Sequence, residues 1–273
     1  MARYWAMVCV LATALALGGC GGGSPAKVEK VGDLKGKIVA SVSPAGSPQN
    51  LEASVEKIIG GKPKEVKYFN KMSDCIMALQ AGKVDAVLSP RFGVDYFVKR
   101  NAAFKVVASE PLKAQVVMAL RSEDTQLKDD LDKAISTLQE NGKLKQLEDE
   151  WVTNLPAANE PANKAADPIP GAKTVYVGIC GDYVPLDYIA ANGRPAGFNV
   201  ALLNEISHML NVNFEFVSLE SQARFAALSA KKIDLIFCNL TASTPSLMGM
   251  QNKSWVATKP YFTSEVGCLL VRK

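Results

Sequence analysis

The stretch Ala78-Leu79-Gln80-Ala81-Gly82-Lys83-Val84-Asp85-Ala86-Val87 is echoed later in the chain by Ala227-Leu228-Ser229-Ala230-Lys231-Lys232-Ile233-Asp234-Leu235-Ile236. Each copy reads as the end of a helix, a tight turn and an apolar strand. Short apolar strands alternate with helical patterns around both copies. Before and through the first, 37–42, 65–69 and 84–88 read as strands, with helices over 48–59 and 73–80. Around the second, 174–180, 213–218 and 233–238 read as strands, with helices over 199–210 and 222–230. Such alternation predicts an α/β fold with mostly parallel sheets, present here as two lobes.

Between the lobes, 122–141 has the pattern of a capped amphipathic helix ending before Gly142, followed by a shorter helix to Trp151. The segment 156–170 then holds four prolines and several alanines, which predicts an extended linker.

The chain has 273 residues, 48% of them apolar and 21% charged. That composition excludes a disordered, collagen-like or coiled-coil chain. The net charge of +4 comes from mixed acidic and basic residues. No basic run interleaves with aromatics, so no nucleic-acid partner is expected. A single histidine argues against histidine-based catalysis or a zinc centre, and no metal or cofactor is expected.

The N-terminus reads as a secretion signal over 1–19. Arg3 gives a positive start, and 6–17 is an apolar run too short to span a bilayer. It ends in Leu17-Gly18-Gly19-Cys20, which resembles the bacterial lipobox and implies lipidation of Cys20. A retained anchor helix is the competing reading. Gly21-Gly22-Gly23-Ser24 would be a flexible tether, taken over 20–32. The expected location is the cell envelope, on its periplasmic or extracellular face, with the membrane contacted through the lipid. Four cysteines remain, Cys75, Cys180, Cys238 and Cys268. No two of them have metal-ligand spacing, and bridges and free thiols both stand open.

Residues 174–273 resemble the first half of a type II periplasmic solute-binding protein of the polar amino-acid family (family 3). The matching pieces are Val177-Gly178, Asp182-Tyr183-Val184-Pro185-Leu186, Asn192-Gly193, Gly197-Phe198-Asn199-Val200, Lys232-Ile233-Asp234-Leu235-Ile236 and Lys259-Pro260-Tyr261. Residues 30–155 resemble the second half, through Asp33-Leu34-Lys35-Gly36-Lys37-Ile38-Val39 and Ala81-Gly82-Lys83-Val84-Asp85-Ala86-Val87. The halves stand in swapped order. The resemblance therefore implies a circularly permuted two-lobe clamp: second-lobe equivalent over 33–112, hinge strand and terminal helices over 113–155, linker over 156–171, first-lobe equivalent over 172–273. Strands 37–42 and 174–180 are expected in separate sheets. Residues 115–120 are expected to cross the hinge beside 266–271.

In α/β sheets ligands bind beyond the carboxyl ends of the strands, against helix N-termini. The family resemblance implies ligand contacts from Tyr183, Ser221, Arg224, Asn239 and Thr241 on one lobe, with Gly46 and Ser47 before a helix on the other. Two departures stand out. The family's carboxylate-clamping arginine is absent, with Thr244-Pro245-Ser246-Leu247 in its place. The acid that receives a ligand's ammonium falls at Pro90, followed by Arg91, which becomes a further candidate. Cys180 and Cys238 end adjacent strands where the family has small polar or basic residues. A disulfide between them and two separate thiols are both open.

The resemblance implies a lipid-anchored solute receptor capturing a small polar, anionic or amino-acid-like ligand for an ABC permease, acting as a monomer. A non-transport sensor on the same fold and a dehydratase-like enzyme are the alternatives. No catalytic residues are expected, because His208 falls mid-helix and Asp182, Asp187 and Glu220 show no pairing suited to acid–base work.

Overall fold

The computed structural model describes residues 27–44, 47–157, 161, 166–240 and 254–273. The signal segment, Cys20, Gly46, Thr241 and 244–247 lie outside the described residues.

The first segment runs β1 (Ile38–Val42), α1 (Pro48–Ile59), β2 (Glu65–Phe69), α2 (Met72–Gln80), β3 (Ala86–Ser89), α3 (Arg91–Arg100), β4 (Phe104–Arg121), α4 (Thr125–Glu140) and α5 (Lys143–Glu148). The second runs β5 (Lys173–Ile179), β6 (Asp182–Tyr183), β7 (Asp187–Ile189), β8 (Pro195–Ala196), α6 (Phe198–Leu210), β9 (Val212–Ser218), α7 (Ala223–Ser229), β10 (Leu235–Leu240), β11 (Trp255–Ala257) and β12 (Phe262–Arg272). Helix α1 begins at Pro48, where a missing N–H is harmless, and stops at Gly60 in the left-handed conformation.

Hydrogen-bonded strands follow the order β2-β1-β3-β12-β4-β10-β5-β9. Strand β1 pairs in parallel with β2 and β3, and β5 pairs in parallel with β9 and β10. Each parallel trio is completed by an antiparallel strand from the other segment: β12 beside β3, and β4 beside β10. Apolar packing divides the same way. Leu34, Val39, Leu79, Val87 and Phe104 are buried around β1, whereas Val177, Leu202, Leu235, Leu228 and Ile236 are buried around β5.

Two expectations are corrected. Strands β1 and β5 share one hydrogen-bonded path instead of lying in separate sheets. The cause is the length of β4 and β12, 18 and 11 residues, which lets both run from one trio to the other. The crossing register also differs. Gln115 and Val116 lie opposite Thr263 and Phe262, and 115–120 pair mainly with β10, while Val266 lies opposite Leu112. The ladder between β4 and β12 slips between Val266 and Cys268, where two steps along β12 face four along β4, from Leu112 to Ala108, so the extra residues bulge from β4.

Candidate functional site

The carboxyl ends of both parallel trios open onto one cavity of about 360 Å³. One wall carries Ser41, Ser43, Ser47, Asn50 and Ser89, from the ends of β1 and β3 and the start of α1. The other carries Cys180, Tyr183, Ser221, Arg224, Cys238 and Asn239, from β6, the end of β10 and the segments following β5 and β9. Parallel strands place these residues together because every strand of a trio ends at the same edge.

The walls touch where Asp182 meets α2. Its Oδ2 accepts from the Met72 N–H at 2.6 Å and the Ser73 N–H at 3.4 Å, a carboxylate seated on the free amides of a helix start. Beside it, Asn70 Nδ2 donates to Glu220 Oε1 at 3.3 Å. Burial raises the Asp182 carboxyl above its ordinary value, against the lowering effect of those amides.

Arg224, in the first turn of α7, donates from Nη1 to the Phe237 carbonyl at 3.2 Å, and its buried Nε has no partner among the described residues. Burial pulls its pKa down, yet Cys180, Cys238, Asp187 and Tyr183 together lift it above the ordinary arginine value. The guanidinium therefore stays charged in the wall of the cavity. Asn239 Nδ2 donates to the Tyr183 hydroxyl at 2.6 Å, and the Tyr183 ring meets Phe92 edge-on at 5.4 Å. Burial raises the Tyr183 hydroxyl above its ordinary value, against the lowering effect of the Asn239 bond.

Behind this wall lies Asp187, only 1% exposed. Its Oδ2 accepts from Asn199 Nδ2 at 2.8 Å and its Oδ1 from the Cys180 N–H at 3.4 Å, while the Tyr261 hydroxyl donates to Asn199 Oδ1 at 2.8 Å. Burial pushes the Asp187 carboxyl up to about 7, opposed by the charge of Arg224. Burial likewise raises the thiols, Cys180 to about 11 and Cys238 to about 12. Both are free thiols that line the cavity.

Of the residues singled out from the sequence, Ser47, Tyr183, Ser221, Arg224 and Asn239 line the cavity together. Gly46 and Thr241 lie outside the described residues. Arg91 is placed elsewhere. It opens α3 with Nε held by Asp95 at 2.9 Å and Nη1 facing Glu265 at 3.8 Å, on a separate surface hollow with Lys99 and Arg100. A helix-start arginine with an acid four residues on closes on its own helix rather than into the cleft. Sequence reading missed Ser41, Ser43, Ser89 and Asn50, whose signal was only their position after the apolar strands, and the Asp187–Asn199–Tyr261 chain. His208 is exposed on α6. Among the described residues no cluster of three His, Cys, Asp or Glu could hold a metal, and no helix is long and apolar enough to cross a membrane.

Residues 175–273 match the family described as bacterial extracellular solute-binding proteins, family 3. A probable amino-acid ABC transporter-binding protein of Haemophilus influenzae is 31% identical over 100 residues, 37% of either chain. The L-cystine-binding protein TcyJ of Bacillus subtilis is 31% identical over 130 residues, 46% of this chain and 47% of its own. The chain thus spans less than half the length of these curated relatives. The ligand-binding core of GluR0 from Nostoc punctiforme, solved with L-glutamate, aligns over 86% of this chain and 84% of its own, with 12% identity and a TM-score of 0.43. Over residues 175–273, then, this chain is matched to the bacterial extracellular solute-binding proteins of family 3.

Proposed function

We propose that the protein is an extracytoplasmic solute-binding protein. It captures a small polar ligand, anionic or amino-acid-like, in the cavity between its two strand trios and delivers it to an ABC permease. The observation that supports this most is Arg224: a charged guanidinium in the cavity wall whose buried Nε has no partner among the described residues. A buried unpaired donor is costly, and a ligand carboxylate or similar anion satisfies it by charge-assisted bonds. Ser221 and Asn239 stand on the same wall to complete the anion's hydrogen bonds. The relatives named for amino-acid and cystine binding favour this class of ligand.

The same reading takes the chain as a permuted clamp, with the second-lobe equivalent over 33–112 and the first over 172–273. The reciprocal exchange of β4 and β12 between the trios supports it. Lipid anchoring through Cys20 and action as a monomer complete the proposal. A thermal-shift screen of small carboxylates, amino acids, amines and sugars tests the binding function. An anionic hit whose stabilisation disappears in Arg224→Ala supports it. A wholly apolar hit, or none, counts against it.

A further inference from the structure

Two thiols far apart in sequence meet on one face of the sheet. Strands β5 and β10 pair Val177 with Leu235 and Gly178 with Ile236 in parallel, so the register continued by two residues sets Cys180 opposite Cys238. Side chains at equal register on these strands share a face: a Cβ added at Gly178 would stand 3.1 Å from Ile236 Cγ2. Cys180 and Cys238, each two residues further on, return to that face, and both line the cavity. Helix α7 covers it, since Ile236 and Cys238 pack with Phe225 and Leu228. Arg224 belongs to the same helix, and its charge acts on both sulfurs. Ser221 lies within hydrogen-bond reach of Cys180. Both cysteines are free thiols.

Two soft donors without a third limit what this pair can hold. Among the described residues no group of three His, Cys, Asp or Glu could ligate a metal, which leaves no tetrahedral set of the kind Zn(II) and iron–sulfur centres use. Thiolates select Cu(I) among the soft cations, and a linear S–Cu–S unit needs two donors only. With thiolate–metal bonds of ~2.3 Å, such a unit spans about 4.6 Å, close to the ~4.8 Å between neighbouring strands. Charge points the same way. When Cu(I) replaces the protons of two thiols, two protons leave, no electron is transferred and the centre carries one negative charge. A buried anion needs a fixed partner, and Arg224 offers a charged guanidinium whose buried Nε has no partner among the described residues. We infer that Cys180 and Cys238 form a two-coordinate Cu(I) site whose negative charge Arg224 balances. This site goes beyond solute capture, and a solute anion would compete with it for the same guanidinium.

Anaerobic titration of the reduced full chain with Cu(I), against the chromophoric chelator bicinchoninate, tests the site. The parent should hold one Cu(I) per chain more than Cys180→Ser or Cys238→Ser. Cys75→Ala, altered in the core around β1, should match the parent. X-ray absorption at one equivalent should show two sulfur neighbours. Arg224→Gln should keep both sulfurs and weaken Cu(I) binding about tenfold or more. Burial keeps both thiols protonated in the free protein, so binding expels two protons and the apparent affinity should rise about a hundredfold per pH unit. The Asp182 and Asp187 carboxyls also act on Cys180. The slope is therefore read between about pH 8 and about pH 9, above the value of about 7 for Asp187. If a serine variant misfolds by circular dichroism, the coordination number and pH slope of the parent decide. Equal stoichiometry in parent and folded serine variants overturns the site, as do three or more metal neighbours or a slope of one proton or less. Unchanged affinity in Arg224→Gln overturns the charge balance.

Discussion

Asp85 and Asp234 make the same pair of bonds at the heads of two different strands. Asp85 Oδ2 accepts from the Ile38 N–H at 2.9 Å, and its own N–H donates to the Ile38 carbonyl at 2.9 Å. Asp234 does the same with Tyr176, at 2.9 and 2.7 Å. An arginine from the opposite segment braces each copy. Arg272 donates to the Leu79 and Val84 carbonyls, and Arg121 to those of Leu228 and Ile233. The repeated sequence is therefore a repeated device, fixing where the third strand of each trio starts. Arg121 also bonds Asp234 at 2.8 Å, a tie Asp85 lacks from Arg272. Asp85→Ala should cost ~1–2 kcal/mol of stability and Asp234→Ala more, ~2–3 kcal/mol, because the second removes one of the two close carboxylates of the buried Arg121 guanidinium, leaving Asp124 at 2.7 Å as the other. Urea unfolding measures both, and equal midpoints for the two variants would refute the asymmetry.

Arg224→Ala should weaken binding of the cognate anion by ~2–5 kcal/mol, the range for removing one partner of a buried charge pair. Stability should change little or rise, since the substitution also deletes an unpartnered buried Nε. Titration beside thermal melting separates these effects. Undiminished affinity would place the anion elsewhere.

Most of the architecture was legible in the chain. The patterns over 48–59 and 65–69 coincide with α1 and β2, because a proline start, a glycine stop and β-branched or aromatic alternation are local signals. The site was half legible. Ser221 and Arg224 follow an apolar strand and open a helix, which is enough to place them at a cleft. Arg91 has the same local context, yet turns to Asp95, because the acid one helical turn on outweighs the distant cavity. The crossing of β4 and β12 was the least visible. Its register depends on a slip at Gly267 and on pairings between residues far apart in sequence, which no local pattern encodes.

Asp187 gives the protein a pH signature. Burial lifts its carboxyl from 3.8 to about 7 in the folded state. Between those values the folded state holds a proton that the unfolded state has released, so the unfolded state binds fewer protons and stability falls as pH rises. The loss begins near the unfolded value and ends near neutrality, with a slope of at most ~1.4 kcal/mol per pH unit. Asp187→Asn keeps an acceptor for Asn199 and has no proton to lose. Its urea midpoint should therefore fall less than the parent's between about pH 5 and about pH 8. Parallel curves would show that Asp187 does not titrate in that window.

Gly197 sets the wall that carries Asp187. It adopts φ +112°, and an added Cβ would stand 2.4 Å from the Leu186 carbonyl oxygen. That approach lets the Phe198 and Asn199 amides bond the Pro185 and Leu186 carbonyls at 3.0 and 2.8 Å, delivering Asn199 to Asp187. Gly197→Ala combines a disfavoured backbone with a clash and should cost at least ~2 kcal/mol. An unchanged melting temperature would contradict the close packing of this turn.

Cys180 and Cys238 offer the last test. Strands β5 and β10 pair Val177 with Leu235 and Gly178 with Ile236. The same register carried two residues on sets the cysteines opposite each other, both lining the cavity. Neighbouring strands lie ~4.8 Å apart, inside the ~4.4–6.8 Å that Cα atoms of a disulfide span. Oxidation by a small disulfide would transfer two electrons, joining the two sulfurs and releasing two small thiols. Because burial holds both thiols at high pKa, about 11 and about 12, exchange should be slow and the bond, once formed, slow to reopen. Mass analysis of the non-reduced, alkylated protein after exposure to oxidised glutathione should show the 180–238 pair blocked from alkylation, and blocked only when both cysteines are present. Two alkylated thiols at these positions after prolonged exposure would establish that they remain separate in the folded cleft.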